Sequence, residues 1–306
     1  MPVTYADVSR HTTNVINDPD ISQEIWANAI EGSFFMKHAR RISLPGNGVK
    51  IQTITGEPTA DWVEETNPKP VSKPTLGYKT IIPYKLAVIV PFSDEFVRDK
   101  RKLYDALVDR LPGALATKFD ATLLSTTAPG SGFDVLGSAT KVSLNPGQGE
   151  TMYGQLLAAE SAIAAANGTM DVIGLAPAGK SKVQGAVDGQ GYPLFTPGVG
   201  SNAVSTILGA QVDINKRLYV AGTAATQSAA GVPAIVGIAG DFSEAMVGIV
   251  DGIKIDISRE ATLVNGNTTI NLWQQNMVGV KAEMTIGFAV KSVNDFVLFT
   301  GDTPSS

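Results

Sequence analysis

One octapeptide in this 306-residue chain has the residue types and spacing for phosphate chemistry. Gly174-Leu175-Ala176-Pro177-Ala178-Gly179-Lys180-Ser181 fits the pattern G-x-x-x-x-G-K-S and follows a strand-like Asp171–Ile173. In a working site of this kind, loop amides cradle the phosphates, the lysine reaches their terminal oxygens and the hydroxyl holds magnesium. The surroundings argue against it. No glycine lies between the two defining ones, which limits how the loop can wrap. Gly185 and Asp188-Gly189 break the following helix within two turns, so its dipole would be short. Val236–Asp241 could imitate the magnesium-holding strand, but Gly237 and Gly240 weaken it. A phosphate-binding NTPase is thus the enzymatic alternative, with Lys180 as its critical residue, and the leading expectation is no catalytic residue, no cofactor and no metal.

Other reactive constellations are thinner. Cysteine is absent, which excludes disulfides and thiolate sites, and His11 and His38 are the only histidines. There is no G-x-S-x-G or H-E-x-x-H. Glu64-Glu65 reads as a solvated pair rather than an acid–base couple. Net charge is −5, with no basic stripe of the kind that binds nucleic acid by charge. The nearest approaches are His38-Ala39-Arg40-Arg41 and the run holding Arg98, Lys100, Arg101 and Lys102. As DNA-facing candidates, Arg98, Arg101 and Lys102 imply weak, sequence-blind contact. No apolar run is long enough to span a bilayer, and the amino terminus lacks the pattern of a secretory signal. A soluble, cytoplasmically made protein with no membrane partner is expected.

The elements that must position any working surface are unevenly distributed. Residues 1–30 read as an arm running into a short helix capped at Ser22. From Leu44 to Lys79, glycines and prolines punctuate alternating stretches such as Val49–Ile54, which predicts a two-stranded ribbon with its tip in Thr66–Pro74. Such a ribbon is marginal alone in water, so another subunit is expected to cover it. Residues 80–92 read as a strand, which Pro83 and Pro91 confine to an edge or interrupt at its ends. Ser93 then caps a long amphipathic spine helix reaching Leu124, kinked or restarted at Pro112-Gly113. A helix over about 151–166 should end at Asn167-Gly168. Strand-like pieces follow at Asp171–Leu175, Thr206–Ile214, Ala234–Ala239 and Gly252–Ile257. Val278 to Val290 alternates strictly and predicts a long half-buried strand, with Phe296–Phe299 as a shorter strand beside it.

Four stretches in this order resemble the major capsid proteins of tailed bacteriophages, built on the Hong Kong ninety-seven fold. They are Ala60–Glu65 with Ser72; Tyr84–Glu95, running on to Phe119-Asp120; Val172–Pro177 with Asp188–Phe195; and Gly240–Ser243 with Gly252–Ile255 and Val280–Val290. The resemblance covers about residues 20–300. It implies an α+β fold with an N-terminal arm (1–30), a peripheral domain in which a long spine helix lies on long strands (31–45, 80–130 and 276–302), an extended β-ribbon loop (46–79) and an α/β axial domain (131–275). It places Lys180 and Ser181 in the first turns of an axial-domain helix.

The same resemblance implies self-assembly into pentamers and hexamers of an icosahedral head enclosing packaged double-stranded DNA. The loop residues Trp62, Glu64, Glu65, Lys69 and Lys73 are the candidates for contact with a neighbouring copy. With only about thirty residues before the fold begins, any scaffold is expected to be a separate protein, and a portal is the other assembly partner. The expected location is the virion, assembled in the host cytoplasm. An encapsulin-type nanocompartment shell shares the fold and is the alternative. Some relatives carry a Lys–Asn isopeptide crosslink; Lys69, Lys73 or Lys79 with Asn276 or Asn294 could supply one, but the pattern is not matched residue by residue and none is expected.

Overall fold

The computed structural model describes residues 32–56, 58–65, 69, 71–73, 75–147, 150–187, 206–225, 230–266 and 268–304. The expected arm with its cap at Ser22 and the Asp188–Phe195 stretch lie outside the described residues. In chain order the elements are α1 (Phe34–His38), β1 (Arg40–Ser43), β2 (Val49–Gly56), β3 (Thr75–Ile81), β4 (Tyr84–Ser93), α2 (Asp94–Asp99), α3 (Arg101–Val108) and α4 (Leu111–Leu123). There follow β5 (Thr140–Ser143), α5 (Met152–Ala165), β6 (Val172–Leu175), α6 (Pro177–Gln184), β7 (Thr206–Ile207), β8 (Ala210–Ile214) and β9 (Ile235–Gly240). The last are β10 (Ala245–Ser258), β11 (Thr262–Asn265), β12 (Thr268–Asn271), β13 (Met277–Val290) and β14 (Phe296–Thr300).

Two sheets meet at one core, and the second sheet packs a separate core against α5 and α6 on its other face. The first has the order β1-β10-β13-β4, and the second β5-β14-β9-β6-β8-β7. The strictly alternating stretch is β13. Val280, Ala282, Met284, Ile286, Phe288 and Val290 are all buried, while Lys281, Glu283 and Thr285 between them are half-buried. Toward its ends the second face is covered too: the ribbon residue Ile81 packs over Gly287, and Leu272 over Gly279. The expected strand over 80–92 is divided: Pro83 falls in the break between β3 and β4, and β4 pairs with β13 alone, at the sheet edge, which suits Pro91, a residue that cannot donate to a ladder.

α1 has five residues, yet it organises the interior. Ser33 accepts the Met36 amide as its N-cap, and Phe34, Phe35 and Met36 are fully buried. Phe35 meets Phe288 of β13 at 5.9 Å, and Phe34 meets Phe242 at 5.2 Å, which in turn meets Phe296 of β14 at 5.3 Å. These edge-to-face contacts join the two sheets through one aromatic cluster.

Three further expectations change. The spine occupies the predicted span, but as three segments rather than one helix. Lys100 leaves helical geometry at φ −131°, ψ 40° within a run of cations, whose like charges disfavour a continuous turn. The restart falls at Leu111, placing Pro112 in the first turn of α4, where its missing N–H removes no helical bond. Thr206–Ile214 is a hairpin rather than one strand: Leu208 and Gly209 both have positive φ, as a tight two-residue turn requires. Phe296–Thr300 does not lie beside β13. A short turn at Val293–Asp295 redirects the chain, and β14 enters the other sheet between β5 and β9. All five of its residues are buried, as a central strand covered on both faces demands.

Candidate functional site

The two strands of the ribbon pair as the sequence predicts, while most of the expected tip, Thr66–Pro74, lies outside the described residues. β2 and β3 pair antiparallel from Val49↔Ile81 to Gly56↔Thr75. Its root is anchored rather than loose: Leu44, Ile81 and Ala289 form a small buried cluster with Ile42, Val49 and Ile51 packed against it. Lys79 adds an ion pair to Asp134 at 2.7 Å, and Lys50 lies over the Tyr78 ring at 4.9 Å. Beyond the strands, the Thr59 amide donates to Ser72 Oγ at 2.9 Å, holding the two limbs together.

The far end carries what a soluble chain ordinarily hides. Trp62 has 105% relative exposure and Val71 is also strongly exposed, and nearer the root Leu76 and Tyr78 are exposed along β3. Glu64, Glu65, Lys69 and Lys73 stand exposed on the same connection. An apolar tip on a long lever, rimmed by charge, is the surface of an element made for a partner. Of the crosslink candidates, Lys79 is committed to Asp134. Asn276 adopts φ 50° with its carbonyl accepting the Asp94 amide, and the Asn294 amide donates to Ser292 Oγ.

A second hairpin, β11–β12, escaped the sequence reading; its Leu263 and Ile270 pack in a small cluster with Leu272 and Met277. Its signal was present: Asn265-Gly266 between alternating residues is a strong turn marker, and Gly266 has φ +58°. The hairpin and the turn after it expose Val264 and Trp273.

The phosphate-like motif resolves into packing. Gly174 lies inside β6, where a Cβ would sit 2.5 Å from the Phe34 ring. Gly179 lies in α6, where a Cβ would collide with the Val236 carbonyl oxygen. The segment between is no open loop: the Ala176 amide donates to the Val236 carbonyl, and the Lys180 amide is spent on the helical bond to Ala176. Lys180 and Ser181 fall in the first turns of α6. β9, the supposed magnesium strand, runs antiparallel to β6, and the Asp241 carboxylate accepts from the Thr169 and Ser243 amides. Among the described residues no group of three His, Cys, Asp or Glu could hold a metal, and no helix is long and apolar enough to cross a membrane.

The basic candidates lie on either side of the Lys100 break. Arg98 donates to Asp99 at 2.9 Å, and that bond holds the Asp99 carboxyl below its ordinary range. Arg101 opens α3, and Lys102 is exposed beside it. His38 is not part of a surface patch: its ring meets Asp213 at 2.8 Å with 9% of its side chain exposed. Burial opposes the ionised form of Asp213, but the bonds from Lys37 and His38 outweigh it and lower the pKa.

The family model described as Phage capsid family matches residues 14–301. Among curated relatives, the chain is 27% identical over 304 residues to "Probable major capsid protein gp17" of Mycobacterium phage D29, covering 92% of this chain and 89% of the relative. It is 28% identical over 297 residues to "Probable major capsid protein gp17" of Mycobacterium phage L5, covering 92% and 88%. A solved structure from Mycobacterium phage Adephagia superposes with a TM-score of 0.70 at 19% identity, over 90% of this chain and 92% of that one.

Proposed function

The chain belongs to the phage capsid family, and on that premise we propose that it acts by assembly alone, as a major capsid protein whose copies close the shell of a phage head. The protein is a structural component of the virion. The observation that carries the mechanism is the anchored ribbon with a fully exposed Trp62 at its far end. Burial left incomplete within one subunit is completed between subunits, and apolar area removed from water supplies the driving force.

Within that reading, the loop 46–79 reaches across to a neighbour. The sheet β5-β14-β9-β6-β8-β7 with α5 and α6 forms the axial part that builds pentamers and hexamers, while the sheet β1-β10-β13-β4 with the spine forms the periphery, so β10 and β14 each leave the part in which the sequence bounds 131–275 and 276–302 had placed them. Arg98, Arg101 and Lys102 make weak, salt-sensitive contact with packaged double-stranded DNA. A separate scaffold protein and a portal act during assembly in the host cytoplasm. No reaction is assigned: the glycines of the phosphate-like motif serve helix–strand packing, which leaves the motif without a cradle. A cellular nanocompartment is not favoured, because the curated relatives are named as phage capsid proteins.

Electron microscopy of the expressed protein, with and without a candidate scaffold, tests this. Closed shells are the expected result. Protein that stays monomeric and compact under every assembly condition overturns it.

A further inference from the structure

The ribbon tip has a matching receptor elsewhere on the same chain. A cavity of about 410 Å³ opens between β4, α4 and the 125–133 loop. Buried Phe119, Phe133 and Ile286 line it with Leu86, and two exposed lysines, Lys85 and Lys118, complete its wall. Pockets that bury a drug-sized molecule span roughly 300–1,000 Å³, so the cavity has room for an indole. Tryptophan is among the residues enriched at interface hot spots, which sit in well-packed, desolvated pockets.

Charge and geometry point the same way. Among the described residues, no cation lies within ion-pair distance of Asp61, Glu64 or Glu65, and no carboxylate lies within that distance of Lys118. Lys85 is shared with Glu283 at 3.3 Å, which makes Lys118 the stronger attractor. The cavity also adjoins the root of its own ribbon, because the Ile82 amide donates to Gly132 and the Tyr84 hydroxyl to Ser131. Eight residues of β2 carry the tip roughly 26 Å away from that root, at about 3.3 Å per residue. Among the described residues no ribbon residue lines the cavity, and Trp62 is fully exposed in its own subunit.

We propose that the cavity receives the ribbon tip of a second copy: the Trp62 indole enters against Phe119, Phe133 and Ile286, and Glu64 and Glu65 come opposite Lys118 and Lys85. This rests on the shell-building reading and names the receptor that the reading leaves open. Each copy is at once donor and acceptor through different surfaces. Such a head-to-tail contact propagates around a ring.

The absence of cysteine makes the test clean. Val63→Cys with Thr122→Cys keeps Trp62 and puts one thiol beside it and the other in the cavity wall; a disulfide forms only if their Cα atoms approach to about 7 Å or less. Shells of the double variant, oxidised and run without reductant on a denaturing gel, are expected to give a ladder of covalent multimers, and each single variant a monomer. Shells carrying both thiols that give only the 32.0 kDa chain overturn the docking while leaving shell-building intact. A disulfide closing within one chain overturns it as well, by placing the tip in its own cavity. Wild-type protein that forms no shells overturns the shell reading, and the docking with it.

A charge exchange decides the matter if the thiol pair disturbs folding. Lys118→Glu is expected to lower shell yield at least tenfold, with recovery when Glu64→Lys and Glu65→Lys are added. Folded protein that shows no recovery counts against the docking.

Discussion

The carboxylate of Asp120 in α4 accepts the Ser33 hydroxyl at 2.6 Å, and its other oxygen accepts the Phe34 amide at 3.1 Å. Ser33 in turn caps α1, so one buried acid ties the element that plugs the core to the last segment of the spine. Arg217 reinforces the junction by donating to the Gly32 carbonyl and to Thr117 Oγ1. Burial pushes the Asp120 carboxyl up to about 6 from 3.8, although Ser33, Phe34 and Arg217 pull the other way.

That shift has a definite sign. The folded state holds the Asp120 proton more tightly than the unfolded chain, so the linked stability is fully present below about pH 4 and is lost as pH rises to about 6. Its size is on the order of 3 kcal/mol. Chemical denaturation of unassembled subunits between pH 4 and 7 should show this slope, and Asp120→Asn should remove it. Asp120→Ala strands two buried donors and should cost about 1–3 kcal/mol at any pH. An unchanged pH slope in Asp120→Asn would show that the carboxyl titrates as an ordinary acid.

Trp62→Ala should separate assembly from folding. The side chain touches water in the free subunit, so thermal unfolding of unassembled protein should move by no more than about 0.5 kcal/mol. Each ribbon contact in a shell should lose about 2–4 kcal/mol if the indole is an interface anchor. Shell yield and denaturant resistance are the measurements. A variant as unstable alone as it is poor at assembly would make Trp62 a core residue instead.

The phosphate-like motif is expected to fail as a nucleotide site and to matter for packing. Lys180→Ala should leave ATP binding where it is in the wild type, at background with or without magnesium. Gly179→Ala should destabilise the subunit by about 1–3 kcal/mol, because α6 must retreat from the Val236 carbonyl. Tight magnesium-dependent binding abolished by Lys180→Ala would restore the enzymatic reading.

Covalent joining of subunits is not expected. Boiled shells on a reducing denaturing gel should give one band at 32.0 kDa. A ladder surviving reductant would instead direct attention to Lys69 and Lys73, the exposed loop lysines.

Local chemistry was legible in the chain. Strict alternation from Val278 to Val290 can satisfy only a strand with one apolar face. Thr151 and Asn167 mark the ends of α5 because capping is decided within a few residues: Thr151 accepts the Gly154 amide, and Asn167 takes φ 62°. The clustered glycines and prolines between Leu44 and Lys79 announced the ribbon, and the absent cysteine removed a whole class of sites. Asn265-Gly266 is an equally local signal, for the turn between β11 and β12.

Tertiary structure decided what depends on residues distant in sequence. Nothing near Phe296 reveals which sheet it joins, because Gly240 and Thr140, the ends of its partner strands, lie tens of residues or more away. The demand on Gly179 comes from Val236, and the hydrogen-bond partners of buried Asp120 come from Ser33 and Phe34. Periodicity and capping are properties of consecutive residues; pairing, close approach and desolvation arise only when the chain brings remote residues together. The exposed ribbon tip belongs to both. Its residues were readable as a partner's surface, while the cavity proposed to receive it exists only once β4, α4 and the 125–133 loop have been brought side by side.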